Sequence, residues 1–160
     1  YLIKEMPGLE VKYRLAPVSS LVQVVSPAVD KAPDHPRELP MAETIRLIGY
    51  DQEPYSPRPG ESLRVTLYWQ GLVEMEEVYS SFVHLVDVSG RFLAGSDRQP
   101  GGDFYPTDLW RPGEILRDEH VMEIPADAPP GSYRLLVGMY RYPSLEPLGR
   151  NALVGRVEIK

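Results

Sequence analysis

The chain has 160 residues, a formal net charge of −6 and no cysteine, and it is interrupted by 17 prolines and 13 glycines. The acidic balance and the lack of any Lys/Arg cluster exclude nucleic acid as a partner and disfavour anionic membrane surfaces. The missing cysteines exclude disulfides, thiolate nucleophiles and cysteine-type zinc sites. No apolar run approaches the roughly 18 residues of a membrane-spanning helix.

Helices have little room in this chain, because proline and glycine break helical hydrogen bonding or raise its cost. The longest stretch free of both runs from Leu72 to Ser89, and half of it is β-branched or aromatic. That composition favours strand over helix. We expect one short helical turn at most, around Val73 to Glu77, and an all-β chain.

The first part of the chain is predicted to precede an independent module. Two strand-like runs, Leu9–Leu15 and Leu21–Val25, occupy residues 1–26, which are expected to be the tail of a preceding region. Residues 27–40 are rich in proline and poor in apolar side chains, as in an extended, semi-rigid linker. The module itself is predicted to span residues 41–160.

Seven segments of the module carry strand patterning. They are Thr44–Tyr50, Ser62–Gln70, Tyr79–Val88, Arg91–Ser96, Ile115–Ile124, Ser132–Tyr142 and Ala152–Ile159. In Ser62–Gln70, apolar and polar residues alternate and place Trp69 on the apolar face, so Trp69 is predicted to be core. Short strands at this spacing predict an antiparallel β-sandwich of immunoglobulin-like or jelly-roll type.

A short turn motif recurs before two of these strands. Arg58-Pro59-Gly60-Glu61 is repeated as Arg111-Pro112-Gly113-Glu114, and Pro130-Gly131 is a third variant. Proline presets φ at the second position of a type II turn, and glycine supplies the positive φ that the third position needs. Because the flanking sequences differ, the repeat indicates shared turn chemistry and not a duplicated domain.

The loop between Asp97 and Trp110 is the predicted ligand-binding site. It combines the aromatic residues Phe104, Tyr105 and Trp110 with the acids Asp97 and Asp103. A flat ring stacks on the face of a pyranose while charged side chains bond its hydroxyls, so this mixture is typical of saccharide recognition. The alternative is that the loop folds over the end of the sandwich and buries its rings as a structural cap.

No metal and no cofactor are predicted. Asp97, Asp103 and Asp108 offer oxygen ligands that suit Ca²⁺, but their spacing matches no EF-hand loop, and acids in loops are usually solvated or cap turns. The histidines His84 and His120 lie inside strands and are expected to bond to a neighbour across the sheet.

Enzymatic activity is also not expected of this chain. A trio of Ser81, His84 and Asp87 fails because Ser81 and Asp87 point to the face opposite His84. Phosphate-loop, dinucleotide and nucleophile-elbow motifs do not occur. Carboxylates such as Asp118 and Glu119 offer candidates for glycoside hydrolysis, but nothing singles out a pair.

A series of short motifs, taken in order, resembles one known family. They are Gly49-Tyr50, Pro59-Gly60-Glu61, Leu67-Tyr68-Trp69, Phe82-Val83-His84-Leu85, Asp97, Tyr105-Pro106-Thr107, Trp110-Arg111-Pro112-Gly113-Glu114, Asp118, Pro129-Pro130-Gly131-Ser132-Tyr133 and Val137-Gly138-Met139-Tyr140. The series, over residues 44–150, resembles the C-terminal β-sandwich domain of bacterial membrane glycosyltransferases similar to the dolichyl-phosphate-mannose-protein mannosyltransferases.

The resemblance implies a setting more than a mechanism. It places the chain outside the cytoplasmic membrane of a bacterium, as an accessory domain of a membrane-spanning parent chain. No catalytic residue carries over, since the donor sugar in such enzymes is handled near the membrane-spanning bundle. The expected partner is a saccharide or a glycosylation acceptor, and the alternative is a purely structural or protein-interaction domain.

Overall fold

The computed structural model of the chain describes residues 9–15, 21–27, 31–101 and 105–160. These residues form the strands β1 (Leu9–Leu15), β2 (Leu21–Pro27), β3 (His35–Pro40), β4 (Ile45–Glu53), β5 (Ser62–Gly71), β6 (Tyr79–Val86), β7 (Phe92–Arg98), β8 (Ile115–Glu123), β9 (Gly131–Arg141) and β10 (Ala152–Ile159). The predicted all-β class is confirmed. The helical turn lies at Thr107–Leu109, where Pro106 begins it, and not near Val73–Glu77.

Two four-stranded antiparallel sheets pack face to face as a β-sandwich, as predicted. The first sheet has the strand order β3-β4-β5-β8, and the second has the order β10-β9-β6-β7. Apolar side chains from the inner faces of both sheets form a single core, in which Trp69 is fully buried as predicted. The strands β1 and β2 pair antiparallel with each other in a separate two-stranded sheet.

The proline-rich segment predicted as a linker ends in a strand of the sandwich. Its last six residues form β3, the edge strand of the first sheet, with His35 opposite Tyr50 and Leu39 opposite Leu47. Prolines are compatible with an edge strand because their missing N–H group can face solvent. Extended polyproline backbone and strand backbone also occupy neighbouring φ/ψ values. The domain division at residues 27–40 stays a prediction, with β3 assigned to the sheet.

Both Arg-Pro-Gly-Glu turns, Arg58–Glu61 and Arg111–Glu114, have the predicted geometry. Their glycines have φ of +83° and +85°, and the glutamate N–H donates to the arginine carbonyl at 3.0 and 3.1 Å. The glutamate Oε2 in turn accepts from the backbone N–H of the arginine at 2.9 and 3.0 Å. Each turn is therefore closed by one backbone and one side-chain hydrogen bond. At the third variant Gly131 has a φ of +152°, away from the type II value of about +80°.

Gly149, which precedes β10, packs against the backbone of Met41 at the start of the module. Its replacement is expected to destabilise the fold. It has a φ of +69°, and an added Cβ would overlap the Met41 carbonyl. Gly149→Ala should therefore lower the free energy of unfolding by about 2–4 kcal/mol, from left-handed strain together with overpacking. Gly90 has a φ of +86° but nothing within 4 Å of an added Cβ, so Gly90→Ala isolates the strain, about 1–2 kcal/mol. Equal losses in urea denaturation of the two variants would contradict the steric argument.

Candidate functional site

The described part of the loop predicted as a saccharide site packs its rings into the core as a cap. Tyr105 is fully buried, and Trp110 has only 2% of its surface exposed. The Trp110 Nε1–H donates to the Tyr105 carbonyl at 3.1 Å, and the Tyr105 hydroxyl donates to Glu114 Oε2 at 2.6 Å. Both rings lie where the structural-cap alternative expects them, and in this position neither ring can stack on a saccharide in solvent.

Asp97 lies on the outer face of the second sheet, within a group of rings. Asp97 Oδ1 is 2.7 Å from His84 Nε2, and the His84 ring packs against Phe82 and Phe92 with centroid distances of 4.5 and 5.2 Å. Burial raises the pKa of Tyr140, and the neighbouring Asp97 carboxylate adds to this effect. His84 thus bonds to a neighbour across the sheet, as expected from its position in a strand.

The predicted site residues do not form one surface. Tyr105 and Trp110 belong to the core, whereas Asp97 faces outward from β7. Asp103 and Phe104 lie outside the described residues. The structure therefore separates Asp97 from the two rings with which the sequence grouped it.

A buried polar cluster links the two sheets. Asp118 points inward from β8, and its Oδ2 accepts hydrogen bonds from the Trp69 Nε1–H at 3.1 Å and from the Ser81 hydroxyl at 2.5 Å. His120 Nε2 lies 2.9 Å from the same oxygen. The side chains of Asp118 and His120 are both fully buried, so this carboxylate joins polar groups from β5, β6 and β8.

The geometry of this cluster does not suit nucleophilic catalysis. Ser81 Oγ and Asp118 Oδ2 both approach Nε2 of His120, at 3.1 and 2.9 Å, while Nδ1 lies 3.1 Å from the Ser96 carbonyl. A catalytic triad needs the nucleophile and the acid on opposite nitrogens of the imidazole. Because Ser81 is also fully buried, the arrangement is a structural network.

A concave site lies on the outer face of the first sheet. We call it the outer cleft. Its volume is about 570 Å³, within the range of roughly 300–1,000 Å³ that is usual for ligand pockets. The charged residues of its lining are Lys31, Asp34, Asp51, Glu53, Arg64 and Arg117. The uncharged ones are Gln52, Pro54, Tyr55 and Thr66.

Strand register fixes the floor of the outer cleft. Thr66 on β5 lies opposite Asp51 on β4 and opposite Glu119 on β8. All three residues point away from the core because they alternate with core positions on their strands. Tyr55 follows β4 at the rim, where it remains 57% exposed. The cleft thus has carboxylate and aromatic groups around a floor at which Thr66 is 3% exposed.

One wall of the cleft is acidic and closely bonded. Asp51 Oδ2 accepts from the Tyr68 hydroxyl at 2.7 Å, and its Oδ1 accepts from the Asp34 N–H at 2.6 Å. Lys31 Nζ lies 2.9 Å from Asp34 Oδ1; this hydrogen bond raises the pKa of Lys31. Burial raises the pKa of Tyr68, and its hydrogen bond to Asp51 contributes further. These contacts hold the segment before β3 against β4.

The opposite wall is basic. Arg64 Nε lies 3.6 Å from Glu119 Oε1, and Arg117 Nη2 lies 3.3 Å from Glu119 Oε2. The two arginine side chains are 53% and 52% exposed. A guanidinium carries five N–H donors. Because the two guanidiniums share one carboxylate, several of their donors remain directed at solvent.

Neither a metal-binding group of side chains nor a membrane-spanning helix occurs among the described residues. Within residues 31–101 and 105–160, no three histidine, aspartate or glutamate side chains are grouped so that they could hold a metal ion. In the described part of the chain, no helix has the length and hydrophobicity needed to cross a membrane.

The sequence contained part of the signal for the outer cleft. Arg64 and Thr66 alternate with core residues on β5, and Arg117 and Glu119 do so on β8, which predicts that each pair faces outward. Alternation does not reveal that β5 and β8 are neighbours, because 45 to 61 residues separate their paired positions along the chain. Nor does any local pattern show that residues 31–34 fold over β4.

Comparisons with known proteins identify the fold. The chain is similar to the C-terminal domain of Wzt, with a TM-score of 0.58 and 13% identity over 82% of this chain and 87% of that one. A Niemann-Pick type C2 protein from Japanese carpenter ant gives a TM-score of 0.52 and 9% identity, with 78% of this chain and 98% of that chain covered. No protein-family model and no curated protein matches the sequence. At these identities the likeness shows a shared β-sandwich fold alone.

Proposed function

We propose that the chain is a non-catalytic accessory module that binds a saccharide or a glycosylation acceptor in the outer cleft. The observation that supports this proposal is the cleft itself, which gathers carboxylates, guanidiniums, a hydroxyl and an exposed ring around one volume of about 570 Å³. Sugar hydroxyls both donate and accept hydrogen bonds, and this lining supplies partners for both roles. Tyr55 at the rim offers the apolar face on which a pyranose stacks.

The setting of the module is part of the proposal. The ordered motifs that resemble the C-terminal domain of membrane glycosyltransferases support an accessory role on the extracytoplasmic face of a bacterial membrane. In that setting the parent chain carries the membrane spans and the catalytic residues. The burial of the Ser81, Asp118 and His120 cluster supports a binding role over a hydrolytic one.

A second candidate function is a purely structural or protein-interaction β-sandwich. The burial of Tyr105 and Trp110 favours it, because the loop that looked most like a sugar platform serves the core instead. The two functions differ in one measurable respect. A structural module has no saccharide that perturbs the residues of the outer cleft.

Titration of the chain with neutral and charged cell-wall oligosaccharides, followed by ¹⁵N amide chemical shifts, tests the proposal. We expect saturable shifts centred on the outer cleft, and a Kd that Tyr55→Ala raises by about three- to tenfold through loss of ring stacking. Tyr142 is similarly exposed, at 62%, and directly follows β9 of the other sheet, so Tyr142→Ala is the matched control and should leave the Kd unchanged. The absence of cleft shifts with every saccharide, or equal effects of the two variants, would contradict the proposal.

A further inference from the structure

The charges of the outer cleft are separated by wall, and this separation narrows its ligand. The β4 wall carries Asp34, Asp51 and Glu53 against a single cation, Lys31. The β5–β8 wall carries Arg64 and Arg117, which share the neighbouring carboxylate of Glu119. One wall therefore has an excess of negative charge and the other an excess of positive charge.

The acidic groups are not equally available to a ligand. Asp51 already accepts from Tyr68 and from the Asp34 N–H, and Asp34 is paired with Lys31. Glu53 is exposed at the end of β4, and in the part of the chain that the structure describes its carboxylate makes no hydrogen bond or ion pair. Glu53 is thus the acidic group with capacity to bind a cation.

The basic groups are available for a related reason. Glu53 lies directly opposite Arg64 in the β4–β5 register, yet the Arg64 guanidinium is directed at Glu119, which it shares with Arg117. Among the residues that the structure describes, these two half-exposed guanidiniums are paired with one carboxylate between them. A ligand anion can therefore bind the two guanidiniums beside Glu119 without displacing that carboxylate.

We propose that the outer cleft selects saccharides that carry both an acidic group and a free amino group. The acidic group, a phosphate or a carboxylate, binds Arg64 and Arg117, and the ammonium binds Glu53. The inference rests on the proposed saccharide-binding function and adds its ligand class. Thr66 on the floor lies between the two charged walls, where a sugar hydroxyl would meet it.

Four monosaccharides that differ in these two groups test the selection: glucose, glucosamine, glucose 6-phosphate and glucosamine 6-phosphate. The Kd of each is measured by ¹⁵N chemical-shift titration at low ionic strength, because exposed charges are screened by salt. Each charged group is expected to lower the Kd by about three- to tenfold, so that glucosamine 6-phosphate binds tightest. Equal Kd values for the four sugars would overturn the inference. Glucuronate in place of glucose 6-phosphate tests the carboxylate, and the inference fails if neither anion binds more tightly than glucose.

Variants assign each preference to a wall. Glu53→Gln should remove the advantage of glucosamine over glucose and leave that of glucose 6-phosphate, whereas Arg64→Gln should do the opposite. Glu119→Gln should lower the Kd of glucose 6-phosphate, because it frees both guanidiniums. If Glu119→Gln instead weakens binding of the phosphate, the assignment of the anion to this wall is wrong.

Matched controls separate local contacts from the overall field of the protein. Arg150 and Glu158 are exposed and do not line the cleft, so Arg150→Gln and Glu158→Gln should leave all four Kd values unchanged. The outcomes also distinguish the two proposals. Binding of neutral oligosaccharides in the cleft, with no effect of charge, would overturn this inference and leave the proposed function standing, whereas the absence of any saccharide binding would overturn both.

Discussion

Replacing Trp110 with alanine is expected to lower the free energy of unfolding by about 3–5 kcal/mol, the usual cost of removing a core tryptophan. Trp110 is 2% exposed, and its Nε1–H is the donor to the Tyr105 carbonyl at 3.1 Å. The substitution empties a large volume beneath the loop and leaves that carbonyl without this partner. Urea denaturation followed by circular dichroism measures the loss.

Two controls accompany this prediction. Tyr142→Ala removes an exposed ring and should change stability by less than about 0.5 kcal/mol. The chain has two tryptophans, Trp69 and Trp110, and both are buried, so acrylamide should quench native fluorescence far less than unfolded fluorescence. A loss below about 1 kcal/mol for Trp110→Ala, with strong quenching of Trp110 in a Trp69→Phe background, would show that the loop is not a cap.

Asp118→Ala is expected to be equally costly, at about 3–5 kcal/mol, because it breaks a buried ionic and hydrogen-bonded cluster by removing one partner. The variant leaves the indole N–H of Trp69 and the hydroxyl of Ser81 without their common acceptor, and it removes the contact of Asp118 with Nε2 of His120. All three groups are buried, so the substitution leaves them in the core without this partner. Denaturation with urea again gives the change in free energy.

The coupling between Asp118 and His120 provides a sharper test than either substitution alone. In a double-mutant cycle with His120→Ala, the combined loss should fall short of the sum by about 0.5–3 kcal/mol, as for residues of one network. Glu123 is an exposed residue of the same strand, and Glu123→Gln should cost less than about 0.5 kcal/mol. Additive losses for Asp118 and His120 would mean that the cluster is not a unit.

Much of the fold could be predicted from local pattern. Alternation in Ser62–Gln70 located a strand and placed Trp69 in the core, and the Arg-Pro-Gly-Glu motif located two turns whose glycines have positive φ. These signals depend on neighbouring residues alone, which is why they transfer directly to structure. The edge strand β3 was not predicted, because its prolines are compatible with both a linker and the edge of a sheet.

The candidate site was harder to predict because its parts are distant in sequence. Tyr105 and Trp110 lie beside acidic residues in the sequence, as in a saccharide-binding loop. Only their packing shows that both rings face the core. The outer cleft combines residues from 31 to 117, and composition gives no indication that these meet. Ser81 likewise contacts His120 from the opposite sheet. The pattern along a single strand relates Ser81 only to His84.

The buried cluster also fixes how β8 lies along β5. Asp118 and His120 alternate with Arg117 and Glu119, so a slip of one residue would turn the first pair into solvent and drive the second pair into the core. The misaligned pairing would move the charges of Arg117 and Glu119 out of water and lose the bond to Trp69. The cluster thereby excludes the nearest competing alignment of the sheet.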